Sequence, residues 1–443
     1  GKTGFAHFFE HMMFRGTEQY PADVYSDILK KAGADQNAYT TDDYTNYHIT
    51  FTKDDLEKVI EIEADRFQNL VYTEEMFRTE ALAVKGEYLK NISNPILMMF
   101  ERISDLMFEE HTYKHTTMGL LEDIEVMPDQ IEYSHVFFDR WYRPEKSAVI
   151  LVGDLDPEAT FALVEQYWGD WERGDYEQEI PVEPPLGGPK YEHYQWDSPT
   201  QPWLVMAFRG PAFIATEKDM PALDLVQAIY FSESSDLYQQ LVIEDQSVDQ
   251  LFGYFPNQKD PGMLLIAARL TDEAHAADVR DAVNQTIVTA RTQLVDAKKI
   301  EETKSRLRYS FTSGLGSSGD IGEMLASFVH YDRTPEIVND VYRTYDSLSA
   351  SDVRDIANKY FVDDSRVTFT LSSNDDMEGI DGMTSVDELV AAVGMADASE
   401  TVADSGDDVS LPAPDVAPED ASPVSFVAQP SATSPLVDVS FLV

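Results

Sequence analysis

The chain has 443 residues, of which 43% are hydrophobic and 11% aromatic, and it carries 33 Lys and Arg against 81 Asp and Glu. This length and apolar content predict two domains with substantial cores. The formal net charge of −48 repels polyanions, so we expect neither nucleic acid nor an anionic membrane surface as a partner. Cysteine is absent, which excludes disulfides and thiolate metal sites. Any bound metal must therefore be held by His and carboxylate groups.

The acidic excess is most simply explained by a solvated surface suited to salty surroundings, and less simply by a surface that captures basic substrates. The sequence contains no run of about 18 apolar residues, so no membrane-spanning helix is predicted.

The first half of the chain mixes helical and strand patterns. Apolar residues at helical spacing predict helices over residues 4–14, 22–31, 54–69, 73–91 and 157–167. Alternating and β-branched segments predict strands within residues 37–51 and over residues 147–152. We assign residues 1–175 to a first domain.

Residues 176–202 are rich in Pro and Gly and are predicted to be a linker. A second domain, residues 203–373, repeats the order of the first. Its strands are predicted near 203–206, 263–268 and 367–371, and its helices near 222–229, 276–294 and 298–309. The predicted fold is α+β, with two similar domains that each pack a mostly antiparallel sheet against helices.

The last part of the chain differs in composition. Residues 374–443 are predicted to be an acidic, low-complexity tail or linker, and residues 396–443 lack Lys and Arg altogether. Because this composition does not favour a buried core, we expect disorder there.

The segment His7-Phe8-Phe9-Glu10-His11 carries the clearest chemical signal. On a helix, His7 and His11 share one face and can reach one cation. Glu10 lies beside that face, where a carboxylate can take a proton from a metal-bound water. Imidazole and carboxylate groups are the ligands typical of a catalytic zinc site, and His7 and His11 would supply two of them. The alternative is a pair of ordinary core or surface histidines on an amphipathic helix.

A third ligand must come from elsewhere in the chain. The predicted helix 73–91 offers Glu80 and Glu87, which lie seven residues apart and therefore on one helix face. In so acidic a chain, both could instead belong to a solvated helix face.

These residues resemble the pitrilysin/insulinase family of zinc metallopeptidases, which includes the mitochondrial processing peptidases. The family has an inverted H-x-x-E-H motif and a Glu about 76 residues after the second His, with another Glu seven residues before it. Glu87 lies 76 residues after His11, and Glu80 precedes Glu87 by seven. Further similar blocks are Phe14-Arg15-Gly16-Thr17, Asn37-Ala38-Tyr39-Thr40, Thr45-Asn46-Tyr47, Tyr142-Arg143-Pro144, Val152-Gly153-Asp154 and Leu237-Tyr238-Gln239-Gln240-Leu241. The resemblance spans about residues 1–373 and is densest in 1–155.

The resemblance implies a zinc-dependent endopeptidase that cleaves peptides or unfolded protein segments. Zinc would be held by His7, His11 and Glu87, with Glu80 as a supporting carboxylate. Glu10 would activate the zinc-bound water. Asn37 and Ala38 would line the substrate cleft on a strand at the edge of the sheet.

The chain also departs from the family pattern. Strands that usually precede the zinc helix are missing, so we expect the first domain to be truncated at its start. Family enzymes close two halves around the substrate, which implies a second half from the same full-length chain or from a dimer partner. The Arg and Tyr that assist catalysis in that second half have no recognisable counterparts here. The resemblance favours a periplasmic or other extracytoplasmic location.

Two alternatives remain open at this point. One is an inactive or partner subunit of the same fold. The other is an acidic module that binds cations or basic peptides without catalysis, an interpretation that rests on the net charge alone.

Overall fold

The computed structural model describes residues 1–380, 384–394 and 436–442. It confirms the predicted α+β class, with two sheets that are each flanked by helices. The elements of the first half are α1 (Phe5–Met12), α2 (Ala22–Lys31), β1 (Asp35–Thr40), β2 (Thr45–Thr52), α3 (Leu56–Asn69), α4 (Glu74–Asn91), α5 (Pro95–Met107), α6 (Leu121–Val126), α7 (Ile131–Trp141), β3 (Ala148–Gly153) and α8 (Pro157–Trp168).

The second half continues with a second sheet and its helices. Its elements are β4 (Lys190–Gln195), β5 (Trp203–Arg209), α9 (Asp219–Tyr230), α10 (Asp236–Tyr238), β6 (Val248–Tyr254), β7 (Met263–Leu270), α11 (Ala276–Thr292), α12 (Ala297–Ser313), α13 (Ser318–Asp332), α14 (Ile337–Asp346), α15 (Ala350–Tyr360), β8 (Arg366–Ser372), α16 (Val386–Val393) and β9 (Leu436–Leu442).

The first sheet has the strand order β1-β2-β9-β3, and all of its neighbouring strands are antiparallel. One face of this sheet packs against the first core, to which α1, α3 and α4 contribute. Val437, Val439 and Phe441 of β9 enter that core, and Leu442 packs on the opposite face against Ala326 and Val329 of α13. This alternation follows from the two-residue period of a strand.

The position of β9 corrects the prediction of a disordered tail for residues 436–442. Seven residues near the C-terminal end of the chain form a central strand, hydrogen-bonded between β2 and β3. Helix α16 also forms within the predicted tail. The predicted low-complexity residues 395–435 lie outside the described part of the chain.

The second sheet has the order β4-β8-β5-β7-β6. Only the β4–β8 pair is parallel among these strands. One face packs against α9, α11 and α15 in the second core. The other face is covered by α5, whose Met99 and Ile103 contact the cluster around Trp203 and Val205.

The predicted linker 176–202 contains strand β4, which was not expected. Lys190–Gln195 pairs with β8 at the edge of the second sheet, so these residues belong to the second sheet rather than to a connection. The division at residue 175 is also crossed by α5, a helix of the first half that packs on the second sheet.

The two halves meet close to the turn between β1 and β2. The Gln258 side-chain amide donates to Asp42 (2.8 Å), and the Lys259 backbone N–H donates to Asp43 (2.9 Å). Tyr113 also donates to Asp43 (2.5 Å). The turn that follows β1 is thereby anchored to the second half.

Candidate metal centre and active site

Helix α1 is held almost entirely inside the first core. Phe5, Phe8, Phe9 and Met12 are buried, and Phe9 stacks on Phe137 at a ring distance of 5.0 Å. These apolar residues fix the rotation of the helix. The orientation of the helix face that carries His7, Glu10 and His11 is therefore fixed by the packing of the opposite side.

A glycine fixes the start of the same helix. Gly4 caps α1 with a left-handed φ of 82°, a conformation that favours glycine. A Cβ atom at Gly4 would lie 2.7 Å from the carbonyl oxygen of Met118. The close approach of this segment therefore requires glycine and sets where α1 begins.

Helix α4 carries the two predicted acidic residues. The Thr73 hydroxyl accepts a hydrogen bond from the Met76 backbone N–H at its N-terminus (3.2 Å), and Ala81 and Val84 anchor the helix in the core. Glu80 is buried, whereas the Glu87 side chain is 38% exposed. Both reach α1 from positions two helical turns apart.

The structure brings His7, His11 and Glu87 together. The two Nε2 atoms lie 3.3 Å apart, and Glu87 Oε2 lies 3.6 Å from that of His7 and 3.4 Å from that of His11. Tetrahedral zinc with bonds of roughly 2.0–2.1 Å would place its ligand atoms about 3.4 Å apart. Within residues 1–380, 384–394 and 436–442, this is the one group of three potential ligands whose donor atoms lie within 4.8 Å of one another.

Glu80 lies behind His11 rather than in the triangle. Its Oε1 is 3.0 Å from His11 Nδ1, and its other oxygen forms an ion pair with Arg15. A carboxylate at Nδ1 favours the tautomer that carries its proton there, which leaves Nε2 free to bind a metal. This geometry suits a supporting role for Glu80.

The surroundings of His7 suit a metal ligand. Burial, followed by the nearby His11, lowers the pKa of His7, which favours a neutral imidazole. His7 Nδ1 is buried and has no hydrogen-bond partner among the described residues. Neutral imidazoles and a carboxylate are the ligand forms that zinc requires.

Glu10 lies beside the triangle and is not part of it. Burial raises the pKa of Glu10, and a hydrogen bond from Thr40 partly opposes that effect. The Thr40 hydroxyl donates to Glu10 Oε2 at 2.6 Å. A carboxylate with a raised pKa is better matched to proton transfer near neutral pH than an ordinary one.

Asn37 and Ala38 lie on β1, which pairs with β2 on one side only within the described residues. The Asn37 side chain is exposed, and its Oδ1 accepts from the Ala38 N–H at 3.0 Å. Ala38 is partly buried against the first core. The structure thus places both residues on an edge strand that contacts α1.

Thr40 and Arg15 complete this arrangement, although the sequence alone predicts no role for either. Both lie in blocks that are similar to the family. The signal that could have revealed Thr40 is its spacing from Ala38, since residues two apart on a strand share a face. The other histidines of the first half, His48, His111, His115 and His135, do not join the ligand group.

Sequence comparison then supplies the family. Residues 2–120 match the model described as "Insulinase (Peptidase family M16)", and residues 132–307 match "Peptidase M16 inactive domain". The chain belongs to the pitrilysin/insulinase family, M16. The match that includes His7, Glu10, His11 and Glu87 is the one to the insulinase model, which confirms the predicted family.

Relatives within M16 are named as zinc proteases. The chain is 26% identical over 377 residues to the zinc protease PqqE of Helicobacter pylori, covering 84% of each chain. A solved structure of a protease from Helicobacter pylori is similar, with a TM-score of 0.76, 25% identity, and coverage of 84% of this chain and 89% of that chain. The chain therefore belongs to a family of peptidases whose relatives here are named for zinc.

A second similar solved structure is that of a longer chain. The periplasmic protease PqqL from Escherichia coli matches with a TM-score of 0.70 and 17% identity, covering 94% of this chain but 48% of that chain. This M16 fold thus corresponds to about half of the larger protein.

Proposed function

We propose that this chain is a zinc-dependent endopeptidase that hydrolyses peptides or unfolded protein segments. The observation that carries the proposal is the triangle of His7 Nε2, His11 Nε2 and Glu87 Oε2, with edges of 3.3, 3.4 and 3.6 Å. These edges fit three ligands of tetrahedral zinc, which leaves the fourth position for water. The zinc-protease names of the relatives support the same assignment.

Bound zinc would supply Lewis acidity and lower the pKa of a coordinated water toward about 7. His7, His11 and Glu87 would hold the ion, and Glu80 would orient His11 through Nδ1. Glu10 would take the proton from the attacking water and pass it to the leaving amine. Its position beside the ligand face allows this without occupying a ligand position. A single displacement by water requires no covalent bond between enzyme and substrate.

The substrate would bind along β1. An extended peptide can add to an edge strand through backbone hydrogen bonds, which makes recognition depend weakly on side-chain sequence. Asn37 and Ala38 lie on this strand, close to α1, and would line the cleft. Peptides without stable structure are best suited to bind as an added strand, because their backbone groups are free to form these hydrogen bonds.

A second half-molecule would complete the active cleft. The match to about half of PqqL supports this, and the second half could come from a longer form of the same chain or from a dimer partner. An extracytoplasmic location is part of the same proposal, and it is supported by the similarity to PqqL, which is described as periplasmic. No helix among the described residues has the length and apolar character needed to cross a membrane.

The test compares wild type with Glu10→Gln on quenched fluorescent peptides and on unfolded casein. Gln cannot accept the proton, so we expect hydrolysis to fall by a factor on the order of 10²–10⁴ while zinc remains bound. The matched control is Glu75→Gln, an exposed position on α4, which should behave as wild type. Chelation should abolish activity, and added zinc should restore it.

The alternatives give different results in the same assay. An inactive or partner subunit would hydrolyse nothing, either alone or with a second copy of itself. An acidic binding module would retain basic peptides equally well in both proteins without cleaving them. Equal hydrolysis by wild type and Glu10→Gln would contradict the proposed chemistry.

A further inference from the structure

Thr40 connects Glu10, the proposed general base, to strand β1, on which the substrate would bind. It is the last residue of β1 and pairs with Thr45, the first residue of β2. Ala38, two residues earlier and therefore on the same face, packs against the core that contains α1. The Thr40 side chain accordingly points toward the zinc helix, where it meets Glu10.

The hydrogen bonds at Thr40 have a defined direction. Thr40 Oγ1 donates to Glu10 Oε2 at 2.6 Å, because an ionised carboxylate only accepts. Its oxygen lies 3.2 Å from Thr45 Oγ1. Since the single proton of Thr40 is directed at Glu10, Thr45 must donate to Thr40. Thr45 is 4% exposed, so solvent competes little for its hydroxyl.

Glu10 accepts a hydrogen bond from no other donor within residues 1–380, 384–394 and 436–442. A Glu side chain has several rotatable bonds, and one fixed oxygen removes much of its freedom. The bond to Thr40 occupies Oε2 and leaves Oε1 for the water. Misplacement of a catalytic group by about 1 Å can cost on the order of 100-fold in rate.

We propose that Thr40, backed by Thr45, is a positioning residue that holds the Glu10 carboxylate and links its orientation to strand β1. A peptide that adds to β1 would then bind to the same strand that fixes the base. This inference rests on the proposed function, and it adds a residue that acts through Glu10 rather than on the substrate.

The test uses Thr40→Val, which keeps the shape of Thr but lacks the hydroxyl, and Thr40→Ser, which keeps the hydroxyl. We expect Thr40→Val to lower kcat on the order of 10- to 100-fold with KM changed less than about 2-fold. Thr40→Ser should retain most of the activity, and zinc content should equal that of wild type in both. The same exchange at a remote site, Thr289→Val in α11, serves as the control and should change neither constant.

Three results would overturn the inference. They are a wild-type kcat in Thr40→Val, a Thr40→Ser variant as slow as Thr40→Val, and loss of zinc or of the folded state in Thr40→Val. The last result would make Thr40 a structural residue.

A measurement without turnover keeps the inference separate from the proposed function. Crystal structures of zinc-loaded wild type and Thr40→Val should show Glu10 Oε2 held beside Thr40 in wild type and displaced in the variant. An unmoved Glu10 contradicts the inference even if the protein is a peptidase. A displaced Glu10 supports it even if wild type cleaves no tested peptide, in which case the proposed function alone fails.

Discussion

At the scale of single residues, the candidate site depends on hydrogen bonds behind the ligand atoms. His11 contacts Glu80 through Nδ1, and Glu80 in turn pairs with Arg15. Such contacts fix the tautomer and the ring orientation of a metal-binding histidine. The ligand triangle therefore owes part of its geometry to a carboxylate that does not belong to it.

Replacing that carboxylate tests its contribution. We expect Glu80→Gln to weaken zinc affinity by about 10- to 100-fold, because a neutral amide accepts the Nδ1–H bond less strongly. Competition with a chromogenic chelator measures the change, and Glu75→Gln is the matched control on the same helix. An affinity equal to wild type would show that Glu80 does not support His11.

A partly buried acid in the second half, Asp224, gives a pH prediction. Burial raises the pKa of Asp224 to about 7, although the Tyr345 hydroxyl, which donates to it, partly opposes the shift. The ordinary value is 3.8, so the folded state holds a proton over this window that the unfolded state has released. The free energy of unfolding should therefore fall as the pH rises from about 4 to about 7, by on the order of 4 kcal/mol from this group.

Asp224→Asn should remove that dependence, because the amide does not titrate. Urea unfolding at several pH values in wild type and in the variant measures the difference, with the exposed Asp170→Asn as control. Parallel stability curves for wild type and Asp224→Asn would contradict the assignment.

At the scale of elements, sequence patterns within one segment predicted helices well, whereas the pairing of strands distant in sequence was not predicted. The spacing of His7, Glu10 and His11 and the period of α4 lie within single helices, so the sequence alone was sufficient to predict them. Strand β9 alternates Val437, Val439 and Phe441, yet its partners β2 and β3 lie far away in sequence. Its low-complexity surroundings hid the strand. Thr40 was missed for a related reason, since its contact with Glu10 forms only when β1 packs on α1.

The central position of β9 predicts a large effect from a single substitution. Val439 is fully buried between Ile49 and Leu151 in the register of the sheet. Val439→Asp would place an unpaired carboxylate in the first core and should lower the free energy of unfolding by at least about 3 kcal/mol. Val182→Asp, at a side chain that is 91% exposed, is the control. Equal urea midpoints for the two variants would contradict the placement of β9.

At the scale of the whole molecule, the two predicted sheets and their helices were found, and the contacts between halves were not foreseen. Helix α5 packs on the second sheet, and α13 packs on the first. The turn at Asp42 and Asp43 connects both halves beside the candidate site. The pattern of a single helix shows which of its faces is apolar, but it does not show which sheet that face will contact. Contacts between the halves therefore cannot be predicted from such patterns.

The net charge of −48 also acts on the whole molecule. Its self-repulsion should destabilise the compact state at low ionic strength. Raising KCl from about 0.05 M to about 1 M shortens the screening length to roughly 3 Å, so Tm should rise over this range. A Tm that stays constant or falls would show that opposite charges are already balanced locally.

The zinc content of the purified protein, measured by elemental analysis, decides whether His7, His11 and Glu87 form one zinc site. Purified wild-type protein and Glu87→Gln would be compared after identical dialysis, with Glu75→Gln as the control. We expect about one zinc per chain in wild type and in the control, and a sharp loss of zinc in Glu87→Gln. Well-folded wild type without zinc, or Glu87→Gln with full zinc content, would contradict it.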